Sequence, residues 1–298
     1  MFWQLAIPFA QRSLKTCALL ILLTVLPACV RAPVLKPAPA DGINIVRDIR
    51  YRYADEADAF RHCLDMYLPT QGEAWPTVVL VHGGGWIVND KSIVANVAVA
   101  LARRSMAVAC PNYRLSPRVQ QPYHAADAAS AVAWVKRNAH RFGADADRLI
   151  LIGYSSGAQL AALIASDAGY LARHDMSPDE IKGVIVISGA YDFENTPLIF
   201  WPVFTSKPEM WKRVSPIQHI RKGLPPFLIL YGENDLTWPG NIETQSRKFF
   251  SALKAKGATA RIMRIKDHDH DSIMAHIGKG PSDILEAIVD FIHETVGM

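Results

Sequence analysis

Residues 149–160 run Leu149-Ile150-Leu151-Ile152-Gly153-Tyr154-Ser155-Ser156-Gly157-Ala158-Gln159-Leu160. The apolar run suits a buried parallel strand, and the Ala-rich continuation suits a helix packed on a sheet. Joining the two requires a very tight turn. The two glycines permit it, because no Cβ blocks the close approach of strand and helix. Ser155 is then held on a strained corner with its Oγ exposed. It sits at the N-terminus of a helix whose dipole favours negative charge. An ordinary Gly/Ser loop can carry the same letters. What separates the two is the strand before and the helix after, and no second Gly-x-Ser-x-Gly occurs in the chain.

The flanking pattern is consistent with such a corner. Residues 45–53 and 62–69 read as edge strands, the second stopped by Pro69. Buried strands follow at 76–82, 106–110, 184–188, 226–231 and 260–265. Helical patterns lie at 93–103, 123–139 and 283–295. Edge strands followed by repeated β-α units indicate a mostly parallel sheet of about eight strands, covered by helices on both faces. The alternation stops between Ser188 and Pro225, a stretch holding Tyr191, Phe193, Phe200, Trp201, Phe204 and Trp211. A loop this long inside a compact domain is usually functional, so 190–224 is expected to form a small cap with aromatics lining a pocket.

A serine hydroxyl is a poor nucleophile at neutral pH. It needs a base, an acid to orient that base, and donors for the developing oxyanion. His82-Gly83-Gly84-Gly85-Trp86 follows a buried strand, and its glycines let backbone N–H groups face a site unobstructed. The amides of Gly84, Gly85 and Ser156 are the natural donors. No phosphate-loop pattern follows these glycines, so a phosphate cradle is disfavoured. His82 reads as a loop organiser. Just past the strand at 226–231 come Glu233 and Asp235, where open α/β sheets build their sites. Asp235 is preferred, held in its loop by Asn234 and Pro239; Glu233 and Asp192 are the alternatives. The base lies in Lys266-Asp267-His268-Asp269-His270-Asp271-Ser272-Ile273, with His270 preferred over His268. A metal reading of this His/Asp run lacks a second cluster to complete the ligand set.

The chain starts differently from the rest. Arg12 and Lys15 precede the apolar run 17–26, which is short for a membrane span and has the layout of a secretion signal. Leu26-Pro27-Ala28-Cys29 resembles the bacterial lipobox, with Pro27 departing from its usual small residue. Residues 1–29 therefore read as a signal peptide with Cys29 as the lipidated residue. Residues 30–41 read as a Pro/Ala-rich tether, and 42–298 as the domain. This implies export, to the periplasmic side of a bacterial membrane as a lipoprotein. The 32 Lys and Arg against 28 Asp and Glu give +4, and losing Arg12 and Lys15 with a leader free of acids leaves +2. A chain so nearly neutral lacks a nucleic-acid footprint. Cys63 and Cys110, both in strand-like runs, are expected as two buried thiols.

Taken together, the motifs resemble the α/β-hydrolase superfamily. The branch is that of small bacterial carboxylesterases related to hormone-sensitive lipase and arylformamidase. The resemblance rests on 64–69, 82–86, Asn112-Tyr113-Arg114-Leu115, 153–158, Ser215-Pro216, 232–235 and 269–273. It implies an α/β-hydrolase fold and a serine carboxylesterase acting on small-molecule esters, with no cofactor and no metal. It also implies Ser155 as nucleophile, Asp235 as orienting acid, His270 as base, and an oxyanion hole at Gly84, Gly85 and Ser156. Ser156 stands where the family often has Ala or Gly, and Trp238 where it often has valine. Formamide hydrolysis and sugar-ester deacetylation are alternatives for the same apparatus. A tethered, non-catalytic binding protein is a further reading, disfavoured because every catalytic role has a candidate.

Overall fold

A computed structural model describes residues 39–298 apart from 41, 54–56, 195–199, 238–240, 278, 280 and 281. The signal segment, Cys29 and most of the tether lie outside the described residues. So do Trp238 and Pro239.

The sheet has nine described strands: β1 (Pro39–Ala40), β2 (Ile43–Arg50), β3 (Cys63–Pro69), β4 (Trp75–Val81), β5 (Ala107–Pro111), β6 (Ala144–Tyr154), β7 (Ile181–Ile187), β8 (Phe227–Gly232) and β9 (Ala260–Ile265). Their order is β1-β2-β3-β5-β4-β6-β7-β8-β9. The pairs β1/β2, β2/β3 and β3/β5 are antiparallel. From β5 through β9 every pair is parallel. One expectation needs correction: Pro39 and Ala40, read as the end of a tether, pair with Asn44 and Ile43 as the outermost strand. Register shows where this strand sits. Ile43 pairs with Pro69, while Tyr67 pairs with Val108 in the antiparallel β3/β5 ladder. Residues 39–43 therefore lie at the end of the sheet where the parallel strands begin.

The central strands are apolar throughout because both faces are covered. Side chains alternate across a strand. Val79 and Val81 of β4, Leu149 and Leu151 of β6, and Val184 and Val186 of β7 enter one core. Val78, Leu80, Ile150, Ile152, Ile185 and Ile187 enter the other. Each fully buried side chain of this size contributes roughly 1.5–3 kcal/mol. Helices α1 (Ala95–Ala102), α2 (Tyr123–Asn138), α3 (Ser156–Ser166) and α4 (Ala168–Ala172) come first in the chain. They are followed by α5 (Trp201–Phe204), α6 (Pro208–Val214), α7 (Ile242–Ala255), α8 (His270–His276) and α9 (Asp283–Val296). Residues of α2, α3 and α7 close the first core, and those of α1, α8 and α9 the second. No helix among the described residues is long and apolar enough to cross a membrane. Cys63 and Cys110 are free and buried.

Candidate active site

The corner after β6 has the predicted strain. Ser155 adopts φ 55° and ψ −120°, a conformation that L residues rarely hold. Its N–H donates to the Ile187 carbonyl at 2.8 Å, which ties the corner to the neighbouring strand. The flanking glycines are required by contact rather than by φ. A Cβ on Gly153 would lie 2.2 Å from the Gly157 carbonyl oxygen, and one on Gly157 would lie 2.2 Å from that of Val81. Helix α3 starts at Ser156, whose N–H is one of the first-turn donors without a helical partner.

Three side chains from three strand ends meet here. The Ser155 hydroxyl donates to His270 Nε2 at 2.8 Å. His270 Nδ1–H donates to Asp235 Oδ2 at 2.9 Å. A carboxylate on one side of the ring fixes the proton at Nδ1 and leaves the Nε2 lone pair facing Ser155. Asp235 is only 2% exposed, so its water has been replaced by protein donors. Burial alone would raise its pKa, but hydrogen bonds from His270 and Thr237 outweigh burial and hold it below the usual carboxylate value. His270 opens α8, whose N-cap is Asp269. The Asp269 carboxylate accepts from the Ser272 N–H, and the Ser272 hydroxyl accepts from the Asp269 N–H. The Tyr154 hydroxyl donates to the His270 carbonyl at 2.9 Å, and the two rings lie 5.3 Å apart.

The competing candidates are occupied elsewhere. Glu233 pairs with Arg264 and accepts from the Asp267 N–H at 3.0 Å. Asp192 pairs with Lys248 and accepts from the Glu194 N–H at 3.0 Å. His268 Nδ1–H donates to the Lys266 carbonyl at 2.8 Å, and its ring faces a separate surface recess. The residue holding Asp235 is Thr237, not Asn234 as expected: its hydroxyl donates to Asp235 Oδ1 at 2.8 Å and its N–H at 3.3 Å. The Asn234 N–H instead meets the His268 carbonyl at 2.8 Å. An Asp two residues before a Thr carries a weak turn signal that could have been read.

The loop after β4 is stiffly built. Gly84 has φ 125°, and a Cβ there would lie 2.1 Å from the Val88 carbonyl oxygen. The Gly84 carbonyl accepts from the Ile87 and Val88 N–H groups, both at 3.0 Å. His82 is fully buried beneath this loop. Its Nδ1–H donates to the Gly83 carbonyl at 2.7 Å, and its ring stacks on Tyr113 at 4.4 Å. Burial pushes its pKa down to about 4, so it stays neutral as a loop support. The Tyr113 hydroxyl donates to the His82 carbonyl at 3.1 Å and lies 3.3 Å from Ser156 Oγ. Behind Tyr113, the Arg114 guanidinium grips Asp127 with two hydrogen bonds of 2.7 and 2.8 Å.

Ser155, Ser156, His270, Gly84 and Gly85 line one cleft of about 440 Å³. Of the six aromatics expected at a pocket, only Phe200 lines the cleft among the described residues. Phe193 and Phe204 instead pack on Trp86, with centroids 6.0 and 4.8 Å away. Tyr191 stacks on Phe249 at 4.4 Å in the core. Trp86 is fixed in turn: its indole N–H donates to Gln159 Oε1 at 3.0 Å. The aromatic segment thus holds up one cleft wall more than it lines it.

Sheet order, strained serine corner and histidine loop together define an α/β-hydrolase fold. The chain belongs to the BD-FAE family, whose model matches residues 64–253. Among curated proteins it is 29% identical over 261 residues to isoprenylcysteine alpha-carbonyl methylesterase ICME of Arabidopsis thaliana, covering 79% of this chain and 60% of that one. It is 30% identical over 246 residues to Esterase LipC of Mycobacterium tuberculosis, covering 75% and 60%. The chain thus spans about 60% of the length of these relatives. Thermogutta terrifontis esterase 2, in a structure phosphorylated by paraoxon, superposes with TM-score 0.67 at 26% identity, covering 85% of this chain and 94% of that one. Esterase B from Lactobacillus Rhamnosis shares the fold, with TM-score 0.75 at 21% identity and 88% coverage of both.

Proposed function

We propose that the protein hydrolyses carboxylic esters through an acyl-enzyme. The observation that carries this reading is the Ser155–His270–Asp235 relay, with contacts of 2.8 and 2.9 Å, opening into a cleft. His270 Nε2 takes the Ser155 proton as Oγ attacks the acyl carbon. The negative oxygen that forms is received by the amides of Gly84, Gly85 and Ser156. His270 then passes its proton to the departing alkoxide oxygen, which leaves as the alcohol. A water molecule next gives its proton to His270 and its oxygen to the acyl carbon. Collapse returns that proton to Ser155. Asp235 keeps the imidazole in the required tautomer and offsets its positive charge. The names of the curated relatives, methylesterase and esterase, support esters over formamides as substrates.

Ser155→Ala should bring hydrolysis of short aryl esters to near background in otherwise folded protein. Labelling of the wild type by an organophosphate should vanish in the same variant. Retained activity in that variant overturns the assignment.

We also propose that the chain is exported and lipidated at Cys29, on the strength of the basic, apolar and lipobox-like residues before it. Radiolabelled palmitate should enter the wild type and not Cys29→Ala. Equal labelling of the two rejects this.

A further inference from the structure

The cleft carries an uneven charge. Among the described residues that line it, Asp271 is the sole carboxylate, and neither Lys nor Arg contributes. Arg61, which is not among the lining residues, donates from Nη1 to the carbonyl of the lining residue Asn89 at 2.8 Å.

Asp271 is not needed to start its own helix. Asp269 caps α8 through its reciprocal pair of hydrogen bonds with Ser272. Asp271 instead turns towards the cleft: its Oδ1 lies 3.4 Å from the Tyr154 hydroxyl, which is already donated to the His270 carbonyl. The wall around it comes from α1 and α8. Asn96 bridges these helices by donating to the Met274 and Ile277 carbonyls, both at 3.0 Å. Ile93, Met274 and Ala275 complete this side as an apolar surface. Trp86 and Phe200 line the cleft without any charge. Among the described lining residues, the aromatic side of the cleft is therefore neutral, while the α1–α8 side is apolar with a single carboxylate, which accepts only the long 3.4 Å contact from Tyr154.

We infer that Asp271 selects substrates by charge, favouring esters with a cationic group on the α1–α8 side and rejecting those with an anion there. This rests on the ester-hydrolase reading and gives that reading a substrate class. A fixed charge a few ångströms from a ligand charge, partly screened at a cleft mouth, changes specificity by roughly three- to tenfold.

The test uses three aryl acetates of similar size: para-trimethylammonio-phenyl acetate, para-tert-butyl-phenyl acetate and para-carboxy-phenyl acetate. Values of kcat/KM are measured for the wild type and for Asp271→Asn, with Asp271→Ser as a second variant. Intrinsic reactivity and any general loss of activity cancel in the ratios within each enzyme. Removing the carboxylate should lower the cation-to-neutral ratio about three- to tenfold and raise the anion-to-neutral ratio by a similar factor. Salt at about 0.5 M should shrink the wild-type preference, because it shortens the Debye length to a few ångströms. Asp267→Asn, on the outer loop, should keep the wild-type ratios. Ratios unchanged in both Asp271 variants overturn the inference while leaving ester hydrolysis intact. If the wild type hydrolyses none of the three, the ester reading fails. Calorimetric titration of phenyltrimethylammonium into Ser155→Ala, with and without Asp271→Asn, then decides the charge selection alone. Equal binding by the two proteins rejects it.

Discussion

Asp127→Asn is the sharpest probe of what holds the loop behind the oxyanion donors. Asp127 is fully buried and ringed by two guanidinium groups and an imidazole. Arg114 donates to it from Nε and Nη2 at 2.7 and 2.8 Å and from its backbone N–H at 3.1 Å. His62 Nε2 lies 3.2 Å away and Arg52 Nη1 3.4 Å away. Burial would raise the Asp127 pKa, but the hydrogen bonds from His62 and Arg114 bring it from 3.8 down to about 2. A neutral side chain leaves a half-buried guanidinium facing an amide, and removing one partner of a buried pair costs about 3–5 kcal/mol. For a domain of this size the melting temperature should fall on the order of 6–20 °C. The pH dependence has a definite sign. A depressed carboxyl pKa contributes stability that is present above the unfolded value and lost as pH falls through the folded one. Asp127 therefore contributes about 2 kcal/mol of its effect only above pH 4, and loses it between pH 4 and 2. Urea unfolding of wild type and variant, followed by circular dichroism, should show a constant gap from pH 7 to 5 that narrows below 4. A gap under about 1 kcal/mol at pH 7, or one that widens in acid, refutes the account.

Two further perturbations test the site itself. Thr237→Val removes the 2.8 Å hydrogen bond to Asp235; kcat on an aryl ester should drop about tenfold with KM little changed, since a hydrogen bond to a charged group is worth about 1.5–3 kcal/mol, and an unchanged kcat rejects the positioning role. Gly157→Ala would place a methyl 2.2 Å from the Val81 carbonyl oxygen, so the variant should lose soluble yield or melt well below the wild type, and a normal melting curve with full activity shows that the corner tolerates more than its geometry implies.

Much of the site could be read from local patterns. Ser155 stands between a strand run and a helix run, and Asp235 and His270 each follow a strand by a few residues. Parallel strands end on one edge of a sheet, so residues just past them converge whatever their separation in sequence. The structure brings these three within hydrogen-bond distance. What the sequence hides is the support. The Arg114–Asp127 grip, the Gln159 amide under Trp86 and the stacking of His82 on Tyr113 join residues whose pairing has no periodicity. The aromatics of 190–224 mislead for the same reason. Composition marks them as pocket-like, but whether a ring faces a cleft or a core depends on tertiary contacts, and Phe193 and Phe204 turn inward. Residues 39–40 were equally hidden, because two residues are too few to show alternation.

Their place in the sheet has a practical side. A purification tag or resin linker fused directly at Pro39 meets the domain at the end where the parallel strands begin. The reacting groups gather at the other end, roughly 20 Å further along a seven-residue strand. A domain fixed to a support at Pro39 therefore keeps its cleft at the opposite edge of the sheet. It is suited to draw on what is dissolved or suspended in front of it, and immobilisation from that end should leave turnover untouched.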